Sequence, residues 1–181
     1  MCHTQAVKTK AQALANPAKR AAKPFESWAT SPAVRRVMQR NKSRDTKPEM
    51  AVRCAVHAMG MRYRVAARPL VEVRRTADLV FRRAKVAVFV DGCFWHGCRM
   101  HYAPPKTNGD YWVRKIKSNR FRDRHTTALL KAAGWTVLRF WSHEEPLVNA
   151  NRIVEVVQTK NREAVVSVAK RSVVCQRASI P

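Results

Sequence analysis

The sequence predicts an α/β fold in which a mixed β-sheet is flanked by helices, in the order α-α-β-β-β-α-β. Three observations predict it. Two β-rich runs, Ala77–Phe81 and Lys85–Val90, are separated by only three residues. A long basic stretch with helical character, residues 109–133, is followed at once by another β-rich run, Trp135–Trp141. Hydrophobic residues make up 46% of the 181, enough to fill the core that such layers require.

The elements follow in chain order. Residues 1–26 are rich in Ala, Lys, Pro and Gln, with five Lys/Arg against one acid, and read as a disordered basic tail. Pro32–Asn41 reads as a short basic helix, with Ser31 as N-cap and Pro32 in the first turn. Thr46-Lys47-Pro48-Glu49 fits a capping box, which is a sufficient structural role for Glu49. Apolar residues Met50, Val52, Ala55, Val56 and Met59 continue that helix to a stop at Gly60. Met61–Val65 alternates like a half-buried strand. The two β-runs, joined through Arg82-Arg83-Ala84, make a hairpin whose second strand is apolar enough to be central. Cys93–Pro105 holds two Cys, two His, two Pro and three aromatics and reads as a loop. The long helix begins after Asn108 or Thr107 and stops at Gly134. Asn149–Lys160 makes a final helix, and 161–181 reads as a second basic tail. The domain expectation is therefore a tail over 1–26, one folded domain over 27–146, and a helix with tail over 147–181.

Charge narrows the partner. Thirty-six Lys and Arg against 12 Asp and Glu give +24, which points to a polyanion, above all nucleic acid. No apolar run approaches the roughly 18 residues of a membrane span, and Met1–Lys10 lacks the apolar stretch of a secretion signal. The expectation is a cytoplasmic, nucleoid-associated chain of bacterial type.

Two constellations carry chemistry. Cys93-x4-Cys98-x2-His101, with His143 just beyond the last strand, supplies the two thiolates and two imidazoles of a tetrahedral zinc site. Such a staple would hold an irregular Pro-rich loop, and His96 in the same cluster can replace one ligand. The second constellation is acidic. Asp78 opens one strand of the hairpin and Asp91 closes the other. Two carboxylates at one sheet edge, with the Val90 carbonyl, can hold Mg²⁺ beside a phosphodiester, and His96 can take the proton of the attacking water.

Aromatic and basic residues frame these groups. Phe94 and Trp95 lie between Cys93 and His96, and Tyr111 and Trp112 open the long helix. Such rings can wedge between base pairs or bury the zinc loop against the sheet. Lys106, Arg114, Lys117, Arg120 and Arg124 are placed to contact phosphates.

Over residues 28–145 the chain resembles the very short patch repair (Vsr) endonucleases. The resemblance is carried by Asn41–Glu49, Thr76–Phe81, Val88–Cys98 with its Gly-Cys-Phe-Trp-His-Gly run, Pro105–Asn108 with Tyr111-Trp112, Lys115-Ile116, Arg122-Asp123-Arg124 and Gly134–Trp141. It implies a restriction-endonuclease-like core with a structural zinc loop. It also implies a strand nick in double-stranded DNA, 5′ to the T of a T:G mismatch left by deamination of 5-methylcytosine. The implied enzyme is a monomer that can work alongside mismatch-repair proteins. On this resemblance Asp78 is the Mg²⁺-binding aspartate, His96 the catalytic histidine and Glu49 an active-site glutamate. Phe94, Trp95 and Trp112 match the intercalating rings, and Cys93, Cys98, His101 and His143 fall where the zinc ligands lie. Three departures stand out: Ala77 replaces the family's Pro, Asp91 replaces a His, and His143 stands where the family uses Cys within a longer loop. Two rival functions are a nuclease of the same fold without mismatch preference and a zinc-stapled DNA-binding module without chemistry.

Overall fold

The structure, a computed structural model, describes residues 31–177 apart from residue 43. The expected tail over 1–26 lies outside those residues. α1 (Pro32–Arg40) is a basic helix presenting Arg35, Arg36 and Arg40 to solvent.

The remaining elements are α2 (Lys47–Ala58), β1 (Arg64–Ala67), β2 (Ala77–Phe81), β3 (Val86–Asp91), α3 (Cys93–His96), α4 (Gly109–Ala132), β4 (Thr136–Trp141) and α5 (Pro146–Arg177). The four strands form one sheet in the order β1-β2-β3-β4. The first three are antiparallel, and β4 joins β3 in parallel, with Phe89 opposite Arg139 and Asp91 opposite Trp141. A parallel pair needs a crossover, and α4 supplies it.

Alternation along β2 and β3 sorts the core onto two faces. Leu79, Phe81, Val86 and Val88 pack with Val52 and Val56 of α2 and with Ala150, Ile153 and Val157 of α5. Val80 and Ala87 face the other way, onto Leu130 of α4 and Trp135. The mixed sheet is thus flanked by helices on both faces. By the same alternation Asp78, Phe89, Asp91 and Arg139 stand on the α4 side.

Four sequence expectations need correction. The capping box does not form: Thr46 is the N-cap, but its hydroxyl donates to the Glu49 carboxylate at 2.9 Å instead of accepting a backbone amide. β1 starts three residues later than expected because Tyr63 turns inward, its ring 5.8 Å from Phe81 and its hydroxyl donating to the Arg53 carbonyl at 2.8 Å. The Cys93–Pro105 loop contains the four-residue α3. The final helix runs from Pro146 to Arg177, so the expected tail beyond residue 160 is helical as far as it is described. No Gly or Pro interrupts residues 147–177, and the pairs Arg152–Glu155 (2.7 Å) and Lys160–Glu163 (2.8 Å) bridge successive turns.

Candidate active site and metal centre

β3 ends at Asp91, and Gly92 turns the chain directly into α3, so the carboxylate end of the sheet and the Cys/His loop are neighbours by construction. Gly97 closes α3 in the left-handed region (φ 65°), where a Cβ would stand 2.8 Å from Ile116 Cγ2 of α4. Only glycine lets the loop lie this close to the helix.

The four residues singled out as zinc ligands converge. Cys93 Sγ lies 3.1 Å from His143 Nδ1, and Cys98 Sγ lies 3.8 Å from the Nδ1 atoms of both His101 and His143. All four donors lie within 4.8 Å of one another. Metal–sulfur bonds of about 2.3 Å and metal–nitrogen bonds of about 2.0 Å give tetrahedral edges of roughly 3.3–3.8 Å, so the donor set fits one tetrahedral cation. Burial works to raise the Cys98 thiol, but the Met100 and His101 amides and the His101 ring outweigh it and hold its pKa below the usual thiol range. That favours the thiolate a metal needs.

A cleft of about 800 Å³ opens beside this loop, lined among others by Glu49, Asp78, Val90, Asp91, Trp95, His96, Asn119, Asp123 and Arg139. Asp78, half-buried, accepts the Val90 amide at 2.7 Å through Oδ2. Burial pushes its carboxyl up to about 6; the Val90 hydrogen bond offsets part of this, while the nearby charges of Glu49 and Asp91 add to it. A half-buried carboxyl crowded by other carboxylates, with one oxygen uncommitted to Val90, suits a hard cation with oxygen ligands.

Glu49 reaches the cleft from the first turn of α2. It is 6% exposed, and its carboxylate accepts from the Asp45 amide (2.9 Å), the Thr46 hydroxyl (2.9 Å) and Arg53 Nη2 (3.2 Å). Arg53, also buried, bonds Asp45 as well. Glu49 is therefore clamped in the cleft rather than spent on capping the helix.

His96, at the end of α3, donates from Nδ1 to Asp123 Oδ2 at 2.5 Å. Partial burial works to raise the Asp123 carboxyl, but the His96 bond and the Arg139 charge outweigh it and hold it below the usual carboxylate range. Asp91 Oδ1 lies 3.6 Å from the same His96 nitrogen. Both Asp91 oxygens accept from Arg139, Oδ2 from Nε at 2.7 Å and Oδ1 from Nη2 at 2.6 Å. Arg139 thus neutralises a carboxylate whose donor atoms also lie within 4.8 Å of those of His96 and Asp123.

The aromatic residues form one cluster. Phe94 lies 5.3 Å from Trp95 and 5.1 Å from Trp112, with Trp95 and Trp112 5.8 Å apart. Trp112 is 8% exposed, so it lies behind Phe94 and Trp95 rather than beside them as an equal wedge. Asn119 donates to the Trp95 carbonyl at 2.8 Å and fixes the loop that carries the rings. Lys106, Arg114, Lys117, Arg120 and Arg124 are all exposed.

Three partners escaped the sequence reading. Asp123 is one of only two acids on the long helix, Arg139 is the only charged residue in its strand, and Arg53 stands four residues after Glu49. The last was discoverable from the i,i+4 rule for Glu followed by a cation.

A histidine bonded to a carboxylate shares one cleft with a half-buried carboxyl of raised pKa, on a chain of this charge, a combination that suits a nuclease. Comparison with known proteins gives the particular kind. The family model described as DNA mismatch endonuclease Vsr matches residues 29–102. Type II nicking enzyme V.NaeI of Lentzea aerocolonigenes is 48% identical over 112 residues, 61% of this chain and 68% of that protein. Type II nicking enzyme V.XorIIP of Xanthomonas oryzae pv. oryzae is 44% identical over 117 residues, 63% of this chain and 83% of its own length. DNA mismatch endonuclease Vsr of Escherichia coli K12 is 31% identical over 100 residues, 55% of this chain and 62% of that protein. The chain belongs to the Vsr family of DNA endonucleases. No helix among the described residues is long and apolar enough to cross a membrane.

Proposed function

We propose that this protein nicks one strand of double-stranded DNA 5′ to the T of a T:G mismatch, acting as a monomer with a catalytic Mg²⁺ and a structural Zn²⁺ on a restriction-endonuclease-like core. The observation that carries the reading is the meeting of Asp78 and the His96–Asp123 pair in one cleft. The names of the relatives, nicking enzymes and a mismatch endonuclease, support both the single-strand cut and the mismatch.

Asp78 and the Val90 carbonyl would hold Mg²⁺, which supplies charge neutralisation for the pentavalent phosphorus of the transition state. The remaining roles fall to the chain itself. Asp123, accepting from Nδ1, fixes the imidazole in the tautomer whose Nε2 lone pair is available, so His96 takes the proton of the attacking water at Nε2. Glu49, held by three donors, sets the negative field beside Asp78. Phe94 and Trp95 enter the stack at the mismatch, with Trp112 as their backing, and a mispaired step costs least to open. Lys106, Arg114, Lys117, Arg120 and Arg124 hold phosphates without reading sequence. Cys93, Cys98, His101 and His143 would hold the zinc.

Nicking of T:G and matched duplexes side by side, across flanking sequences and with Asp78→Ala as control, tests the reading. Preference for T:G, lost with Asp78→Ala, is the expected outcome. Equal cutting of both duplexes would leave a nuclease of the same fold without mismatch preference, and binding without cutting would leave a DNA-binding module.

A further inference from the structure

The pair Asp91–Arg139 is unassigned by the reading above, and its geometry is closed rather than poised for a ligand. Asp91 is 8% exposed, and a two-pronged Arg139 fork occupies both of its oxygens. The parallel register places Arg139 opposite Phe89, two residues before Asp91 on the same face, and its guanidinium lies 4.8 Å over the Phe89 ring centroid. The same Nη2 reaches Asp123 Oδ1 at 3.1 Å. Arg139 thus bridges the two carboxylates that flank His96 Nδ1, one at 2.5 Å and the other at 3.6 Å. Without a cation between them these carboxylates would repel each other and compete for one imidazole proton. With Asp91 bound by Arg139, Asp123 alone takes the Nδ1 hydrogen.

We propose that Arg139, anchored on Asp91, is a positioning residue that holds Asp123 against His96, and that Asp91 serves as this anchor rather than as a metal ligand. The proposal rests on the reading of His96 as the proton acceptor. Arg139 Nε and Nη2 are committed to carboxylates, which leaves Nη1 as its one nitrogen without a carboxylate partner. An ammonium cannot reproduce the fork, so lysine is a poor substitute.

The test uses the full chain and five variants: Arg139→Gln, Arg139→Lys, Asp91→Asn, the double Asp91→Asn/Arg139→Gln, and His96→Ala. Single-turnover nicking at saturating T:G duplex should fall about 10–100-fold for Arg139→Gln, the range for losing a residue that orients a ligand or base. Arg139→Lys should recover only part of that loss. The double variant should be no slower than the slower single, because the two residues act as a unit. DNA affinity in EDTA should stay within about twofold, with an unchanged salt slope. The ¹⁵N resonances of the His96 ring in metal-free protein should pass from one tautomer to a mixture in Arg139→Gln. A salt slope reduced by about one with unchanged nicking at saturation would make Arg139 a phosphate contact and overturn the proposal. A rise of tenfold or more in the Mg²⁺ needed for half-maximal nicking by Asp91→Asn, absent from Arg139→Gln, would make Asp91 a ligand and overturn it equally. Melting curves of each variant identify any loss due to misfolding, and Asp91→Asn, which keeps the shape, carries the test if Arg139→Gln unfolds. His96→Ala separates the levels: parental nicking by that variant sinks the underlying reading. An inactive His96→Ala beside a fully active Arg139→Gln sinks only the proposal.

Discussion

Asp78→Asn should stabilise the metal-free protein while abolishing nicking. Burial raises the Asp78 carboxyl from the ordinary 3.8 to about 6, so in the folded chain ionisation is harder than in the unfolded chain. For an acid whose folded pKa is raised, the folded state binds the proton more tightly. Stability therefore falls as pH rises from about 3.8 to about 6 and stays at its lower value above that window. At 1.36 kcal/mol per pKa unit the deficit is at most roughly 3 kcal/mol. Asparagine removes the charge, and its Oδ1 can still accept the Val90 amide. In a chain of this size 1 kcal/mol moves Tm by about 2–4 °C, so a gain of up to roughly 6–12 °C at pH 8 in EDTA is expected. The gain should shrink steadily below pH 6 and vanish near pH 4. Calorimetry of both proteins over pH 4–8 in EDTA measures it, and the same samples with Mg²⁺ and duplex measure nicking. A variant no more stable than the parent at pH 8, or a difference independent of pH, would refute the claim that Asp78 is held in the cleft against its own solvation.

The remaining predictions concern the supports of the site. Purified protein should carry about one zinc per chain, and a strong chelator or Cys98→Ser should lower Tm, whereas removing Mg²⁺ alone should stop nicking without comparable loss of stability; metal analysis beside melting curves decides it. Gly97→Ala should cost about 1–3 kcal/mol, because it adds a methyl 2.8 Å from Ile116 Cγ2 at a φ of 65°; denaturant unfolding measures it. Arg53→Met should cost about 3–5 kcal/mol by removing the ion-pair partner of the buried Glu49 and leaving it only the Asp45 amide and Thr46 hydroxyl, and adding Glu49→Gln should restore much of the stability. Failure of that restoration would show that Arg53 acts through packing instead.

Elements with a local signal were legible in the sequence. α2, the β2–β3 hairpin, α4 and β4 lie close to their expected bounds because proline, glycine and β-branched runs mark them within a few residues. β1 slipped because Tyr63 is claimed by Phe81 and by the Arg53 carbonyl, contacts 18 and 10 residues distant that no local alternation encodes. α5 continues beyond residue 160, where the basic composition reads as a tail, and the i,i+3 pair Lys160–Glu163 spans that boundary. At the site, Cys93, Cys98, His101 and His143 converge as their chemistry suggested, since three of them share one short loop. Asp123 and Arg139 were invisible for the opposite reason. Their partners lie 27 and 48 residues away, and only the β3-α4-β4 crossover brings them together.

The acids of so basic a chain become intelligible once their partners are counted. Glu49 is paired with Arg53, Asp91 with Arg139, and Asp123 with both His96 and Arg139. Among the described residues no cation stands within salt-bridge distance of Asp78, although it is the one whose carboxyl is pushed up to about 6. A protein with 36 Lys and Arg does not lack side chains to neutralise it; among the described residues Arg53 acts on it only from a distance and none pairs with it. The paired carboxylates can then hold shape without attracting an ion, while the unpaired one stays costly until something small and positive enters the open cleft. DNA phosphate meets the same asymmetry. It is attracted by the basic flanks and repelled at Asp78 until that charge is matched, so duplex and divalent cation should each bind more tightly in the presence of the other, by a common factor that linkage requires.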